Sequence, residues 1–123
     1  YLIHMSKFIT IILLLLIPMC SYAKKNERYY QTIHCDELKG QKEYRLSDNT
    51  RVDCLTDYEA IEHDWAEKWA ECVGQSLYYS IKTKKQPVCV LIGSKENLIK
   101  HSKKIEEIKK EYNLPLKVIL IEK

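Results

Sequence analysis

Between Pro87 and Gly93 the chain reads Val88-Cys89-Val90-Leu91-Ile92, without a polar side chain. Alternate side chains of a strand point to opposite faces of a sheet, so such a run predicts a strand buried on both faces. Cover is then needed above and below the sheet, which points to a layered α/β domain. Other periodicities fill in the layers. Tyr30, Ile33, His34 and Leu38 recur at helical spacing, with Gly40 placed as a C-cap. Glu43–Leu46 and Arg51–Leu55 alternate on either side of the turn formers Ser47-Asp48-Asn49-Thr50, which predicts a hairpin. A third strand is expected over Glu59 to Asp64. From Trp65 the period becomes helical, with Trp65, Ala66, Trp69, Ala70, Val73, Leu77 and Ile81 on one face as far as Thr83. Ser94 caps a helix striped by Leu98, Ile105, Ile108 and Tyr112, and Asn113 and Pro115 end it. Leu116 to Ile121 closes the list as a buried strand. The expected order is α-β-β-β-α-β-α-β, a mixed central sheet with helices on both faces.

Ahead of this domain, Lys7 precedes an apolar run from Phe8 to Ile17, followed by Pro18 and Ser21-Tyr22-Ala23. A basic start, a short apolar stretch and small residues at the −3 and −1 positions predict a signal peptide over residues 1–23, with Met5 as the start and cleavage after Ala23. The run is shorter than the roughly 20 residues that a membrane span needs. Cys20 lacks the small preceding residue of a lipobox, because Met19 stands there. An exported protein, periplasmic or secreted, is expected, with residues 24–28 as a polar leader and 29–123 as one domain. Its 19 basic and 17 acidic residues leave a balance of +2, too weak to indicate nucleic acid by itself. Four cysteines remain: Cys35, Cys54, Cys72 and Cys89. No C-x-x-C pair occurs, which argues against a zinc site and a thiol-redox centre. Because the first helix leads straight into the hairpin, Cys35 and Cys54 are the favoured bridge; Cys72 and Cys89 read equally well as buried free thiols.

The chemistry concentrates between Arg51 and Tyr79. Asp53 lies inside the second strand, and Glu62 and Asp64 share one face of the third. Crowded carboxylates repel unless a cation offsets them, and hard oxygen donors suit Mg²⁺ or Mn²⁺. On the following helix Lys68, Gln75 and Tyr79 fall on one face, offering a cation, an amide and a phenol above the acids.

These residues carry a resemblance. The element order is similar to the α-β-β-β-α-β core of the restriction-endonuclease-like, PD-(D/E)XK fold, with Asp53 and Glu62 at the positions of its two acids. Gln75-Ser76-Leu77-Tyr78-Tyr79 resembles the Q-x-x-x-Y element of RecB-type nucleases, and the wording from Arg51 to Tyr79 is similar to a family of small exported bacterial proteins assigned to that fold. The resemblance implies a metal-dependent nuclease. Asp53 and Glu62, with the His63 main-chain carbonyl, would hold Mg²⁺ or Mn²⁺; Lys68 would orient water, and Asp64, Gln75 and Tyr79 would position nucleic acid. One departure stands out. The family motif has lysine two residues after the second acid, where this chain has Asp64, so Lys68 must reach the same spot from the helix.

A second class of function competes with this one. The same fold, stripped of chemistry, would serve as an exported binding or structural module. Lys68 would then be a surface partner of Asp64, and Gln75 and Tyr79 helix surface and core edge. His34 and His101 read as ordinary, and His63, between Glu62 and Asp64, is assigned neither way. The lysines from Lys95 to Lys110 alternate with Glu96, Glu106 and Glu107 and read as a solvated face.

Overall fold

The computed structural model describes residues 25–123, and the predicted export signal with its cleavage point lies outside them. Eight elements follow in order: helix α1 (Glu27–Glu37), strands β1 (Gln41–Arg45), β2 (Arg51–Leu55) and β3 (Glu59–Trp65), helix α2 (Trp69–Thr83), β4 (Gln86–Gly93), helix α3 (Lys95–Tyr112) and β5 (Lys117–Glu122). The five strands form one sheet in the order β1-β2-β3-β4-β5. β1, β2 and β3 pair antiparallel, whereas β3, β4 and β5 run parallel. The apolar strand takes an inner position, buried from Pro87 to Gly93.

Its two faces meet different cover. Cys89 and Leu91 join Cys72 and Val73 of α2 and Leu98 and Ile105 of α3. Val88 and Val90 join Cys35 of α1, Cys54 and Ile61 on the opposite side. Helices therefore cover both faces of the mixed sheet. Because β3 leads into α2 and β4 into α3, both helix N-termini lie at the carboxyl ends of the parallel strands, the edge at which open α/β sheets bind ligands. Among the described residues no helix is long and apolar enough to cross a membrane.

The structure amends several boundaries. Asn26 caps α1, its side chain accepting the Tyr29 amide, so Glu27 and Arg28 are helical rather than part of a leader. β3 extends through Trp65, and a 3₁₀ turn over Ala66–Lys68 intervenes before α2 begins. Trp65 thus belongs to the strand, its ring edge-on to Tyr30 of α1, while Trp69 packs in the core. The stripe expected to face inward on α1 is also wrong. Gln31 and Cys35 are the buried residues, whereas Ile33 and Leu38 are exposed.

Both cysteine pairs are disulfides, Cys35–Cys54 and Cys72–Cys89. Two bridges suit an oxidising compartment. The first ties α1 to β2 and the second ties α2 to β4. Gly40 serves the first of them and is not a left-handed cap; Lys39 takes the positive φ instead. A Cβ at Gly40 would run into the Cys54 sulfur and lie 2.9 Å from that of Cys35. Gly40→Ala should therefore cost about 1–3 kcal/mol as an overpacking substitution, and urea unfolding should show a smaller cost in a Cys35→Ala/Cys54→Ala background. An equal cost in both backgrounds would contradict the contact. Loss of the bridge itself, closing 19 residues, should remove about 3 kcal/mol.

Candidate functional site

Strand alternation breaks at Asp53. Val52 packs with Tyr79 and Ala60 on the α2 side, yet Cys54, two residues on, packs with Cys35 and Ile61 on the α1 side. The β2–β3 register covers Cys54↔Ile61 and Leu55↔Ala60, and at the next step a side chain substitutes for the ladder. The His63 amide donates to Asp53 Oδ2 at 2.8 Å. On the other flank of β2, the Tyr44↔Val52 and Lys42↔Cys54 pairs enclose Glu43, whose φ is +53°. The buried Gln31 of α1 bridges this break, its amide donating to Glu43 Oε1 at 3.0 Å and to the Asp53 carbonyl at 3.2 Å.

Glu62 lies beside this gap, 7% exposed, and its Oε2 is buried with no hydrogen-bond partner among the described residues. Burial and the neighbouring Asp53 and Asp64 push its carboxyl far above the carboxylate range, against the pull of a main-chain hydrogen bond from Asp53. Asp64, also buried, is raised to about 7 by desolvation and by Glu27 and Glu71, while Lys68 acts the other way. Carboxyls held in one place cannot all ionise without a cation to balance them. Glu27 completes the group from the first turn of α1, raised by its burial and by Asp53 and lowered by Lys68 and His63.

The predicted residues divide into two sets. Asp53, Glu62 and Asp64 come together as expected from β2 and β3. Tyr79 faces them from α2, its hydroxyl pushed up to about 12 by burial and by the charges of Glu62 and Asp53. Lys68, in the 3₁₀ turn, acts on Asp64 and Glu27. Gln75 is exposed on α2. Three residues join that were not singled out as site residues: Glu27, Gln31 and His34. His34 Nδ1 lies 2.8 Å from His63 Nε2, and the fully buried His63 has its Nδ1 3.8 Å from Asp53 Oδ2. The signal for α1 was present in the sequence. Glu27, Gln31 and His34 recur at four and three residues, a polar stripe that a search for apolar periodicity passes over.

Among the described residues no three His, Cys, Asp or Glu side chains form a ready metal-ligand set. The donors at hand are two carboxylates, Asp53 and Glu62, one with an unpartnered buried oxygen. That donor set fits an ion that keeps most of its waters, as Mg²⁺ does, and not a closed zinc site. No family model, curated protein or solved structure matches the chain.

The raised carboxyls make cation-free stability depend on pH. A carboxyl whose folded pKa exceeds its unfolded value of about 4 binds the extra proton in the folded state, so stability is highest below that value and declines as pH rises. For Asp64 the decline runs from about pH 4 towards its folded value of about 7. The groups facing it are Glu27 of α1, Asp53 of β2, and Lys68 and Glu71 at the start of α2. In chelator, thermal midpoints should fall between about pH 4.5 and about pH 7, and Asp64→Asn should flatten the fall. A midpoint that rises over that interval would show that these acids are not held protonated.

Proposed function

We propose that the domain is a metal-dependent nuclease of the restriction-endonuclease-like kind. The observation that carries this reading is Glu62, its Oε2 buried and unpartnered among the described residues, standing near Asp53 at the β2–β3 break. Burying a carboxylate without a partner is costly, and a chain that places two side by side requires protons or a cation there. Element order and the directions of the five strands support the same reading.

Asp53 and Glu62 would hold Mg²⁺ or Mn²⁺, which when bound supplies Lewis acidity to water and phosphate. The chain's own residues set the geometry. The His63 amide fixes one oxygen of Asp53, and Gln31 fixes the main chain on which Asp53 sits. Lys68 offsets the charge of Asp64 and Glu27, and Tyr79 limits the site from the α2 side. Hydrolysis would join a water oxygen to phosphorus and break the bond to the leaving sugar oxygen.

One observation favours the competing reading of an exported binding module. Asp64, buried and acidic, stands where the motif has lysine, and Lys68 is turned to neutralising acids. The two readings part on metal. Isothermal titration of Mn²⁺ should show binding by the parent and none by Asp53→Asn or Glu62→Gln, and Glu62→Gln should lose Mg²⁺-dependent cleavage of nucleic acid while keeping its thermal midpoint. Gln31→Ala, which removes an outer support, should weaken Mn²⁺ about tenfold or more. Titration heats at background for the parent would transfer the assignment to the binding module.

A further inference from the structure

The two edges of the sheet are guarded differently. β1 reads Gln41-Lys42-Glu43-Tyr44-Arg45, and Glu43 leaves the strand conformation with a φ of +53°. Its charges are engaged as well: Lys42 pairs with Asp36, and Glu43 with Arg28 and Arg51. Charge and a local kink keep an edge strand from taking up another chain. β5 has no such protection along its middle. It reads Lys117-Val118-Ile119-Leu120-Ile121-Glu122, no residue of it takes a positive φ, and Pro115 stands before it rather than in it. It pairs in parallel with β4 from Val88↔Lys117 to Gly93↔Glu122, and among the described residues no strand pairs with its other side. Alternate main-chain groups of β5 therefore point outward.

Side chains on both faces of this edge are apolar and incompletely covered. Val118 packs against the α2 and α3 layer, and Ile119 and Ile121 against the α1 layer; all three are only partly buried, and Leu120 is 46% exposed. α1 packs chiefly on β1, β2 and β3, which leaves a cavity of about 260 Å³ beside Ile121, walled by Tyr30, Ile33, His34 and Glu37. Only an extended chain can satisfy outward main-chain groups at strand spacing, and one that suits this edge is apolar on both its faces. Two strands of this chain have that character, through Val88–Ile92 and Val118–Ile121. The first is enclosed between β3 and β5, and the second is the edge itself. We propose that β5 is a homodimer interface, pairing antiparallel with β5 of a second copy so that the two sheets join. A two-fold axis through the sheet keeps both α1 layers on one side, so each residue meets one of its own parity. Two registers then bring the apolar residues together. Centring on Leu120 sets Lys117 opposite Lys123 of the second copy, and like charges directly opposed disfavour it. Centring on Ile119 sets Val118 against Leu120, Lys117 against Ile121 and Ile119 against itself, with no like charges opposed. That register covers Leu120 and makes one apolar seam on each face. The inference is independent of the nuclease reading, and because the paired strands run in opposite directions it puts the two acidic groups at opposite edges of the joined sheet.

Sedimentation velocity on the oxidised protein over a wide concentration range reads the association directly. The parent should show a reversible dimer. Leu120→Lys and Leu120→Glu, which alter an exposed side chain, should each weaken it at least about tenfold while keeping the parent's thermal midpoint. An equimolar mixture of the two variants should recover the dimer, because Leu120 of each copy lies diagonal to that of the other across the axis, within reach of long side chains. Amide exchange over Val118–Ile121 in the parent, which needs no variant, should slow as protein concentration rises. A parent that stays monomeric up to millimolar concentration would overturn the inference and leave the edge to a strand of another protein. A dimer that survives both substitutions, or whose β5 amides exchange at the monomer's rate, would place the interface elsewhere and overturn it too. So would a mixture of folded variants that stays monomeric.

Discussion

The bond from the His63 amide to the Asp53 side chain replaces a main-chain pairing between β2 and β3, and the rest of the site is arranged around that replacement. A sheet interrupted between two of its strands exposes main-chain groups that must find partners. Here Asp53 takes one of them, and Gln31 takes the Asp53 carbonyl on the α1 side. The same interruption lets Val52 and Cys54 face opposite layers, which leaves Asp53 at the gap instead of on a sheet face. A gap of this kind gives Glu62 a place beside Asp53 that an intact ladder would close.

Such a gap weakens the sheet where the acids repel, and the disulfides lie where they oppose that weakness. Cys54 adjoins Asp53 in sequence, and its bridge holds α1, with Glu27 and Gln31, onto β2. Cys89 is the register partner of Glu62 on β4, and its bridge to Cys72 holds α2 against the strand beneath. Each helix that lines the acidic group is thus tied covalently to the strand next to an acid. Reduction would loosen both sides of the site together, which suits the protein to an oxidising compartment.

What was legible in the sequence followed from apolar pattern. The run Val88–Ile92 gave an inner strand covered on both faces, and the turn formers at Ser47–Thr50 gave the hairpin, because in those stretches burial and residue type agree. The pattern misled on α1. That helix turns Gln31 inward and leaves Ile33 exposed, since its inner face meets the break in the sheet and supplies partners for main-chain groups rather than apolar area. Gly40 looked like a cap because glycine favours left-handed backbone, but the reason for it is the space taken by a disulfide that only the fold reveals. The grouping of Glu62 with Asp64 was readable from strand periodicity, whereas Asp53 joins them through the break in the alternation of β2. Glu27 was not readable, because an acid in a first turn is also what the helix dipole favours. Cys72 and Cys89 gave no spacing clue, as their contact depends on α2 crossing β4.

On the proposed reading Asp64 stands where the motif has lysine, which changes what the site requires of its surroundings. Lys68 faces Glu27 and Asp64, and Glu71 adds another acid to the same side. An anionic strand approaching these groups meets like charge unless protons or a cation occupy the site first. On the proposed reading, binding of the ion and approach of the phosphate are therefore coupled, and the coupling is tighter than it would be with a lysine in place of Asp64.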